Sequence, residues 1–377
     1  MKNIIILILL SFTNLFFVKK KKKIVLYGRK MLSDNLEALL IYFIKNKINK
    51  NYEIYCLLEN ASNFKKYEIK NIRFIESASE SIYHLFTSKY IFHTHSLSIA
   101  KFKPFYKQTI INLWHGSPLK FMGITKTLSI YSDSLFLVAS DFFIPIWEKT
   151  YHYPKKKFYI SGNPRNDLLF SSKDSFSILG YDSTEYLKKI IFMPTFRTSK
   201  AIDKTDSSIN FPVLTENNII DFNNYLKKEK ILILIKPHPY QNSIHFLQQK
   251  YSNIKIIYNE DIYTKDLTLY ELLADSDALL TDYSSVYFDY LLTQKPIGFV
   301  IDDIDDYKDK RGFIVDKPKK LMPGEKIYNI KDLIKFISNL KANKDTYKED
   351  RKQINQLVNT YHDNNNCKRI LKHVGII

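Results

Sequence analysis

Short apolar runs alternate with amphipathic segments along almost the whole chain, and this alternation restricts the possible fold more than any other feature. Residues 24–28 form an apolar run that ends in glycine, and residues 35–46 follow with apolar positions spaced for one helix face. Such β-α alternation predicts mostly parallel sheets with helices on both faces. We expect further strands at 52–58, 72–75, 90–93, 109–113, 134–139, 157–160, 190–193, 231–235, 254–257, 278–280 and 297–301, and further helices at 142–151 and 286–292.

The chain of 377 residues is long enough for two domains of ordinary size. The polar tract 171–183 separates two β-α series and is the best candidate for a linker. We therefore predict a membrane-associating segment over 1–23, Rossmann-like domains over 24–170 and 184–362, and a tail over 363–377. In open α/β sheets, ligands bind beyond the carboxyl ends of the strands. Five motifs follow predicted strands: 114–120, 162–167, 194–197, 236–239 and 281–285.

The N-terminal segment combines apolar residues with a run of lysines. Residues 4–18 are apolar apart from Ser11, Thr13 and Asn14, and residues 19–23 are all lysine. As a helix, the apolar stretch reaches only about 22 Å, less than the roughly 30 Å of a bilayer core. We therefore expect residues 1–23 to associate with the membrane peripherally or as a weak anchor, on the cytoplasmic side.

The net charge and the cysteine content limit the kinds of binding partner and cysteine-based site that the sequence allows. The formal net charge of +18 favours a polyanionic partner, such as a phosphate-bearing substrate, an anionic membrane or a nucleic acid. A lysine-rich composition typical of an AT-rich genome accounts for the same charge. Cys56 and Cys367 are far apart and the chain has no CxxC, so neither a disulfide framework nor a zinc site is expected.

The first motif, Trp114-His115-Gly116-Ser117-Pro118, follows the predicted strand 109–113. Gly116 allows the backbone to approach a ligand closely, and Pro118 stiffens the loop. His115 then projects beyond the strand, where a near-neutral pKa suits removal of a proton from an attacking hydroxyl. A half-buried structural histidine fits the same spacing.

A second histidine lies in Lys236-Pro237-His238-Pro239, after the predicted strand 231–235. The two prolines fix the backbone around His238. With Lys236 beside it, this histidine is suited to hold a diphosphate or to stabilise a leaving group. A turn whose prolines only end the strand is the alternative.

The other phosphate-binding candidates are hydroxyl and guanidinium groups at strand ends. Ser284 and Ser285 begin the predicted helix 286–292, where free N–H groups attract phosphate, although simple helix capping explains them too. Arg165 and Arg197 offer forks that match phosphate oxygens, with ion pairing between domains as the alternative.

No metal site is predicted. His93 and His95 share one face of a short strand, but no third ligand adjoins them, and the acidic residues of 302–306 lack the spacing of a calcium loop.

Taken in order, the motifs resemble those of the CDP-glycerol:poly(glycerophosphate) glycerophosphotransferases, a family of teichoic acid polymerases and primases that also act in capsule synthesis. The similarity runs from about residue 23 to about residue 340. Two positions depart from the family pattern, because Asn163 stands where Tyr is more usual and Lys236 where Arg is usual. The matching stretches are 33–35, 114–120, 162–167, 194–197, 236–239, 281–289, 295–296 and 311–313.

The resemblance implies a GT-B fold, in which two Rossmann-like domains face a central cleft, with the donor held mainly by the C-terminal domain. It implies transfer of glycerol phosphate from CDP-glycerol to a hydroxyl with release of CMP, without an obligatory metal ion or other cofactor. It also implies that His115 acts as the base and that His238 stabilises the diphosphate. The donor-binding positions that we predict are Gly116, Ser117, Pro118, Arg165, Pro194, Thr195, Arg197, Lys236, Pro237, Ser284, Ser285, Asp289 and Arg311.

The predicted partners are CDP-glycerol, a membrane-linked anionic glycan or polyol-phosphate acceptor, and an anionic membrane surface, without nucleic acid. The predicted location is the cytoplasmic face of the cell membrane, in teichoic acid-like or capsular polymer synthesis. Other possibilities stay open: CDP-ribitol as the donor, sugar transfer from a nucleotide sugar by the same fold, or a basic protein that only binds nucleic acid or anionic lipid. The motifs also do not separate a primase from a polymerase.

Overall fold

A computed structural model of the chain describes residues 13–32, 34–95, 107–120, 133–151, 153–182, 184–195, 213–237, 250–310 and 312–377. The chain forms two compact units. The first consists of Met1–Ser117, Met122–Leu168 and Val358–Ile377, and the second of Pro118–Phe121 and Leu169–Leu357. The chain therefore passes between the units several times, whereas the sequence predicted one crossing at a linker.

The first unit is built on a parallel sheet of seven described strands in the order β3-β2-β1-β4-β5-β6-β7. The first six follow the doubly wound order 3-2-1-4-5-6 of dinucleotide-binding folds, as the β-α pattern predicts. Inward-facing side chains such as Val25, Ile91 and Ile110 are fully buried. The strands are β1 (Lys20–Arg29), β2 (Glu53–Leu58), β3 (Ile72–Ile75), β4 (Ser88–His93), β5 (Thr109–Asn112), β6 (Leu135–Val138) and β7 (Phe158–Ile160).

The second unit repeats this plan with six described strands in the order β10-β9-β8-β11-β12-β13, all paired in parallel. Strand β9 is buried along its whole length, since each of its residues is Ile or Leu. Both sheets thus have the parallel α/β architecture that the sequence predicted. The strands are β8 (Lys188–Met193), β9 (Ile231–Ile235), β10 (Ile254–Ile256), β11 (Ala278–Thr281), β12 (Ile297–Val300) and β13 (Glu325–Ile327).

Helices connect the strands and cover the sheets, and their amphipathic faces supply the remaining core. In the first unit, Leu36, Leu39 and Phe43 of one such helix are fully buried. The described α-helices are α1 (Asp34–Lys45), α2 (Ala78–Thr87), α3 (Ile144–Tyr151), α4 (Ser175–Ile178), α5 (Ile219–Glu229), α6 (Asn259–Tyr263), α7 (Leu269–Asp275), α8 (Val286–Tyr290), α9 (Ile304–Lys310), α10 (Ile330–Lys341), α11 (Lys348–Val358) and α12 (Asn366–His373).

The lysine run differs from the prediction of a separate basic segment, because 20–23 form the beginning of β1. Lys20 pairs with Ser88 of β4, and Lys23 pairs with Glu53 of β2. Lys23 is 1% exposed, and its Nζ donates to Thr87 Oγ1. Burial, together with the charge of Lys20, lowers the pKa of Lys23 to about 8. Part of this run is therefore structural.

The predicted tail and the predicted linker are both folded. Helix α12 belongs to the first unit, where the backbone N–H groups of Asn366 and Cys367 donate to the Asp167 carboxylate at 2.8 and 2.9 Å. The tract 171–183 contains α4, whose Phe176 is fully buried in the second unit. Asp174 of this tract is the N-cap of α4 and accepts from the Ser177 N–H.

Candidate active site

The loop that carries His115 leaves the carboxyl end of β5. Trp114 has a φ of 51° and Gly116 a φ of 121°, so two left-handed residues flank the histidine. A tryptophan rarely adopts this conformation, and such strain gathers at functional sites. The His115 ring stacks on Trp114 at 4.3 Å between centroids and lies 5.6 Å from the ring of His95. Aromatic stacking therefore defines the orientation of the imidazole.

Asn35, in the first turn of α1, stabilises the His115 loop through hydrogen bonds. Its Nδ2 donates to the carbonyl oxygens of Leu113 and Trp114 at 3.2 and 3.0 Å. Its Oδ1 accepts from the Arg165 backbone N–H at 3.2 Å. The side chain is 1% exposed, so these bonds are sheltered from water. One amide thus joins α1, the His115 loop and the 162–167 motif.

Arg165 lies beside the predicted base within the first unit. Its Nη1 donates to the His115 carbonyl oxygen at 3.2 Å and lies 3.6 Å from Asp34 Oδ2. Arg165 is 6% exposed, so its guanidinium is fixed by protein contacts. The sequence predicted a donor-binding role, and the structure shows a cation that supports the His115 loop.

The protonation state of His115 follows from these neighbours. Desolvation, followed by the influence of His95 and the charge of Arg165, lowers the pKa of His115 to about 4. His115 is, however, an exposed residue, so water screens a substantial part of the effect. The direction nevertheless leaves the imidazole neutral at pH 7, which is the form that accepts a proton.

The rest of the 162–167 motif is structural. Gly162 has a φ of 78°, and a Cβ at this position would lie 2.3 Å from Asn366 Oδ1. Asn366 Nδ2 donates to the Asn163 carbonyl oxygen at 3.0 Å. Together with the Asp167 carboxylate, these contacts attach α12 to the first unit. Burial raises the pKa of Asp167 to about 6, although the α12 N–H groups act in the opposite direction.

In the second unit, the carboxyl ends of β8 and β11 meet at the switch point of the sheet, the usual ligand site of such folds. Asp282 is fully buried there and accepts from three donors. Its Oδ2 accepts from the Thr195 N–H at 2.7 Å, and its Oδ1 accepts from Thr195 Oγ1 at 2.5 Å and from the Ser284 N–H at 3.1 Å. Asp282 therefore fixes two loops that were predicted to contact the donor.

Lys120 adds a cation to this cluster. It belongs to the second unit through the stretch Pro118–Phe121. Lys120 forms a β-bridge with Phe313, and the Ile314 N–H donates to the Leu119 carbonyl oxygen at 3.0 Å. The Lys120 Nζ donates to Thr195 Oγ1 at 3.3 Å. The stretch 114–120 thus supplies the His115 loop to the first unit and the Lys120 ammonium group to the second.

The structure locates most of the remaining predicted site residues. Lys236 directly follows β9, and its backbone N–H donates to the Phe192 carbonyl oxygen at 2.8 Å. Ser285 is the N-cap of α8 without a side-chain cap bond. Asp289 is 1% exposed and accepts from Tyr270 Oη at 2.7 Å, a contact with the core. The remaining described positions are Gly116, Ser117, Pro118, Pro194 and Pro237, all in strand-end loops, whereas His238, Arg197 and Arg311 lie outside the described residues.

Four residues that the prediction did not place in the site contribute to it: Asp34, Asn35, Lys120 and Asp282. Each lies inside a stretch that carried the family resemblance. Their signal was therefore present. Asp34, Asn35 and Asp282, however, are residue types that commonly cap helices and turns. Within the described ranges, no cluster of His, Cys, Asp or Glu side chains is arranged to hold a metal ion.

Two doubly wound parallel sheets, each with polar loops beyond its strand ends, place the protein in the class of two-domain α/β proteins with GT-B-like architecture. The wall teichoic acid polymerase TagF shares this fold, with a TM-score of 0.76 at 22% identity, over 100% of this chain and 95% of that one. The chain belongs to the CDP-glycerol:poly(glycerophosphate) glycerophosphotransferase family, whose sequence model matches residues 9–375. The predicted family and α/β fold are thereby confirmed.

Curated relatives agree with this assignment. The teichoic acid glycerol-phosphate transferase of Staphylococcus aureus is 25% identical over 92% of this chain and 90% of its own length. The teichoic acid glycerol-phosphate primase of Bacillus subtilis is 31% identical over 68% of this chain and 67% of its own.

Proposed function

We propose that this enzyme transfers glycerol phosphate from CDP-glycerol to a hydroxyl of a membrane-linked glycan or polyol-phosphate acceptor and releases CMP. The product is a teichoic acid-like or capsular cell-surface polymer. Family membership supports the donor and the reaction class, since the family is named for this transfer. The observation in the structure that carries the proposal is a stacked His115 in a strand-end loop that Asn35 and Arg165 hold. Its lowered pKa favours the neutral form.

The first unit supplies the base in this mechanism. The acceptor hydroxyl must lose its proton as its oxygen attacks the phosphorus nearest glycerol. His115 is neutral at pH 7 and takes that proton, and general-base help of this kind contributes roughly 10²- to 10⁴-fold. Arg165 keeps the His115 loop in place through its bond to the carbonyl oxygen. Its positive charge also disfavours protonation of His115 before substrate binds.

The second unit holds the donor in this mechanism. Phosphoryl transfer depends mainly on positioning and on stabilisation of the charge that develops on the leaving group. Lys120 and Lys236 bring positive charge to neighbouring strand ends, and Asp282 fixes the Thr195 and Ser284 loops. We propose that these groups contact the diphosphate. His238 keeps its predicted role at the diphosphate, and Arg197 and Arg311 keep their predicted roles in donor binding.

Replacement of His115 tests this assignment. In His115→Ala, we expect CMP formation to fall by at least about 10²-fold, because the general base is lost. CDP-glycerol should bind with nearly unchanged affinity, since the groups that we propose contact the diphosphate lie in the second unit. The exposed His362→Ala is the matched control and should keep normal turnover. Near-normal turnover in His115→Ala would contradict the base assignment.

A donor panel separates the remaining alternatives for the reaction. Binding and CMP release are measured with CDP-glycerol, CDP-ribitol and a set of nucleotide sugars. A response to CDP-ribitol alone would retain the mechanism and change the polyol. A response to a nucleotide sugar alone would assign the fold to sugar transfer instead.

We also propose that the enzyme works at the cytoplasmic membrane surface through its N-terminal segment. Phe16 and Val18 are 86% and 83% exposed, which is unusual for large apolar side chains so close together. Lys19 and Lys21 follow them, so this surface joins apolar groups to positive charge, as interfacial binding to anionic lipid requires. No helix within the described ranges is long and apolar enough to span a bilayer.

A further inference from the structure

A buried polar network in the first unit includes His93, to which the sequence analysis gave no role. His93 at the end of β4 is 1% exposed, and Asp133 just before β6 is 5% exposed. His93 Nε2 lies 2.9 Å from Asp133 Oδ1. Asp133 Oδ2 accepts from Tyr153 Oη at 2.7 Å and from Asn112 Nδ2 at 3.1 Å. The network therefore joins neighbouring strand ends of the first unit.

The partners of His93 determine its protonation. Its Nδ1 lies 2.7 Å from the His95 carbonyl oxygen, which only accepts, so Nδ1 carries a hydrogen. Its Nε2 faces a carboxylate that already receives two hydrogen bonds. A proton shared between an imidazole and a carboxyl group resides on the imidazole, whose ordinary pKa is higher. Both ring nitrogens of His93 are therefore donors, and the ring is an imidazolium.

The local charges agree with this state. Burial alone would lower the pKa of His93, but the charge and hydrogen bond of Asp133 raise it. Burial would likewise raise the pKa of Asp133, yet the charge of His93 and the three donors lower it. Among the described residues, the other titratable groups that face the pair are Tyr153, His95 and Lys157. The Lys157 Nζ donates to the Asp133 backbone oxygen at 2.6 Å.

His93 also contacts both segments that surround the base. Its side chain holds the carbonyl of His95, whose ring lies 5.6 Å from that of His115 in a nearly parallel arrangement. Its own carbonyl oxygen accepts from the Leu113 N–H at 2.8 Å, immediately before the strained Trp114. A shift of His93 would thus move both sides of the His115 ring.

We propose that His93 is a buried imidazolium, paired with Asp133, which acts as a positioning residue by holding His95 and the base loop in register around His115. The role in turnover rests on the proposed function, whereas the charged pair and its effect on the His115 ring do not. Because both His93 nitrogens are bonded to oxygen acceptors, the same geometry assigns His93 to hydrogen bonding and not to metal coordination.

Nuclear magnetic resonance of the full chain labelled with ¹⁵N-histidine tests the charged state without any substrate. The chain has nine histidines, and the His93 signals are assigned by their loss in His93→Gln. We expect both ring nitrogens of His93 to be protonated at pH 7 and to stay so at pH 8. In Asp133→Asn, the Nε2 proton should be lost while the Nδ1 proton remains. A single ring proton on His93 in the wild type would overturn the proposal.

The same variants test positioning. Glutamine carries both of its N–H groups on one nitrogen and cannot replace two separate ring nitrogens. His93→Gln should therefore shift the His115 ring signals and lower kcat about 10²-fold, since small misplacements have effects of this size. The Kd for CDP-glycerol should stay within twofold. Asp133→Asn keeps the bond to His95 and should lower kcat less than tenfold. Unchanged His115 signals in a folded His93→Gln would overturn the proposal.

The controls separate this proposal from the proposed function and from unfolding. The exposed Asp141→Asn and His362→Gln should leave the His115 signals unchanged. Thermal unfolding confirms that each variant is folded. If His93→Gln does not fold, the histidine ring signals that change in Asp133→Asn identify His93 and still report the charged pair. If the wild type releases no CMP from CDP-glycerol, the proposed function fails, while the His93 and His115 signals still decide this proposal.

Discussion

Asp282 gives the most quantitative test of the donor site. The carboxylate is fully buried and accepts from the Thr195 N–H, Thr195 Oγ1 and the Ser284 N–H. In Asp282→Asn, one carboxylate oxygen becomes an NH₂ group that cannot accept. Thr195 Oγ1 can turn and accept from the new amide, but in either orientation of the amide one backbone N–H loses its acceptor.

The expected magnitude follows from that single lost acceptor. A buried donor left without a partner costs about 1–3 kcal/mol. If this cost falls on the arrangement of the two loops that binds the donor, the Kd for CDP-glycerol rises by about 5- to 150-fold, since each 1.4 kcal/mol is tenfold. The His115 loop belongs to the first unit, so the nuclear magnetic resonance signals of His115 should not change.

Isothermal titration of CDP-glycerol into the folded variant measures this effect. Asp221→Asn, on the exposed side of α5, is the matched control and should bind normally. Thr195→Val removes the hydroxyl that bonds to Asp282 and should also weaken binding. Because the two residues are in direct contact, the double variant should lose less than the sum of the single losses. A Kd within twofold of the wild type in folded Asp282→Asn would refute the reasoning.

Three further predictions concern pH, stability and membrane binding. Since the pKa of His115 is lowered to about 4, kcat/KM should show no acid limb from this residue near pH 6.5. The free energy of unfolding should decrease as pH falls from 6.5 towards 4, because the unfolded chain binds the proton first. Thermal unfolding should show a smaller decrease in His115→Asn. Gly162→Ala should destabilise the protein by at least about 2 kcal/mol, since its Cβ would lie 2.3 Å from Asn366 Oδ1. Gly180 is also at positive φ but has nothing within 4 Å, so Gly180→Ala should show only the backbone strain. Equal losses of stability in the two variants would contradict the packing argument. Phe16→Ser should weaken sedimentation with anionic vesicles, and unchanged sedimentation would remove the N-terminal segment from membrane binding.

Local patterns were sufficient to predict the sheets. Strands β3 and β9 agree with the predicted ranges. In β9 the continuous Ile and Leu residues are typical of a buried parallel strand. The position of His115 after β5 followed for the same reason. A local pattern was therefore sufficient to predict both the fold class and the end of the sheet at which His115 lies.

The contacts between distant segments could not be predicted in this way. Nothing near Asn366 indicates that α12 packs on the first unit, because that contact depends on Asp167, about two hundred residues earlier. The lysines of 20–23 resemble a membrane-binding run, yet their backbone pairs with β2 and β4. Asp282 looked like a cap, and only the switch-point geometry shows that it also fixes Thr195.

Release of CMP from CDP-glycerol, measured with purified enzyme in the presence and absence of a membrane-lipid acceptor, tests the central claim most directly. The account predicts CMP formation that depends on the acceptor and is lost in His115→Ala. An absence of CMP from CDP-glycerol with every acceptor, while the folded protein still binds the donor, would contradict the proposed transfer.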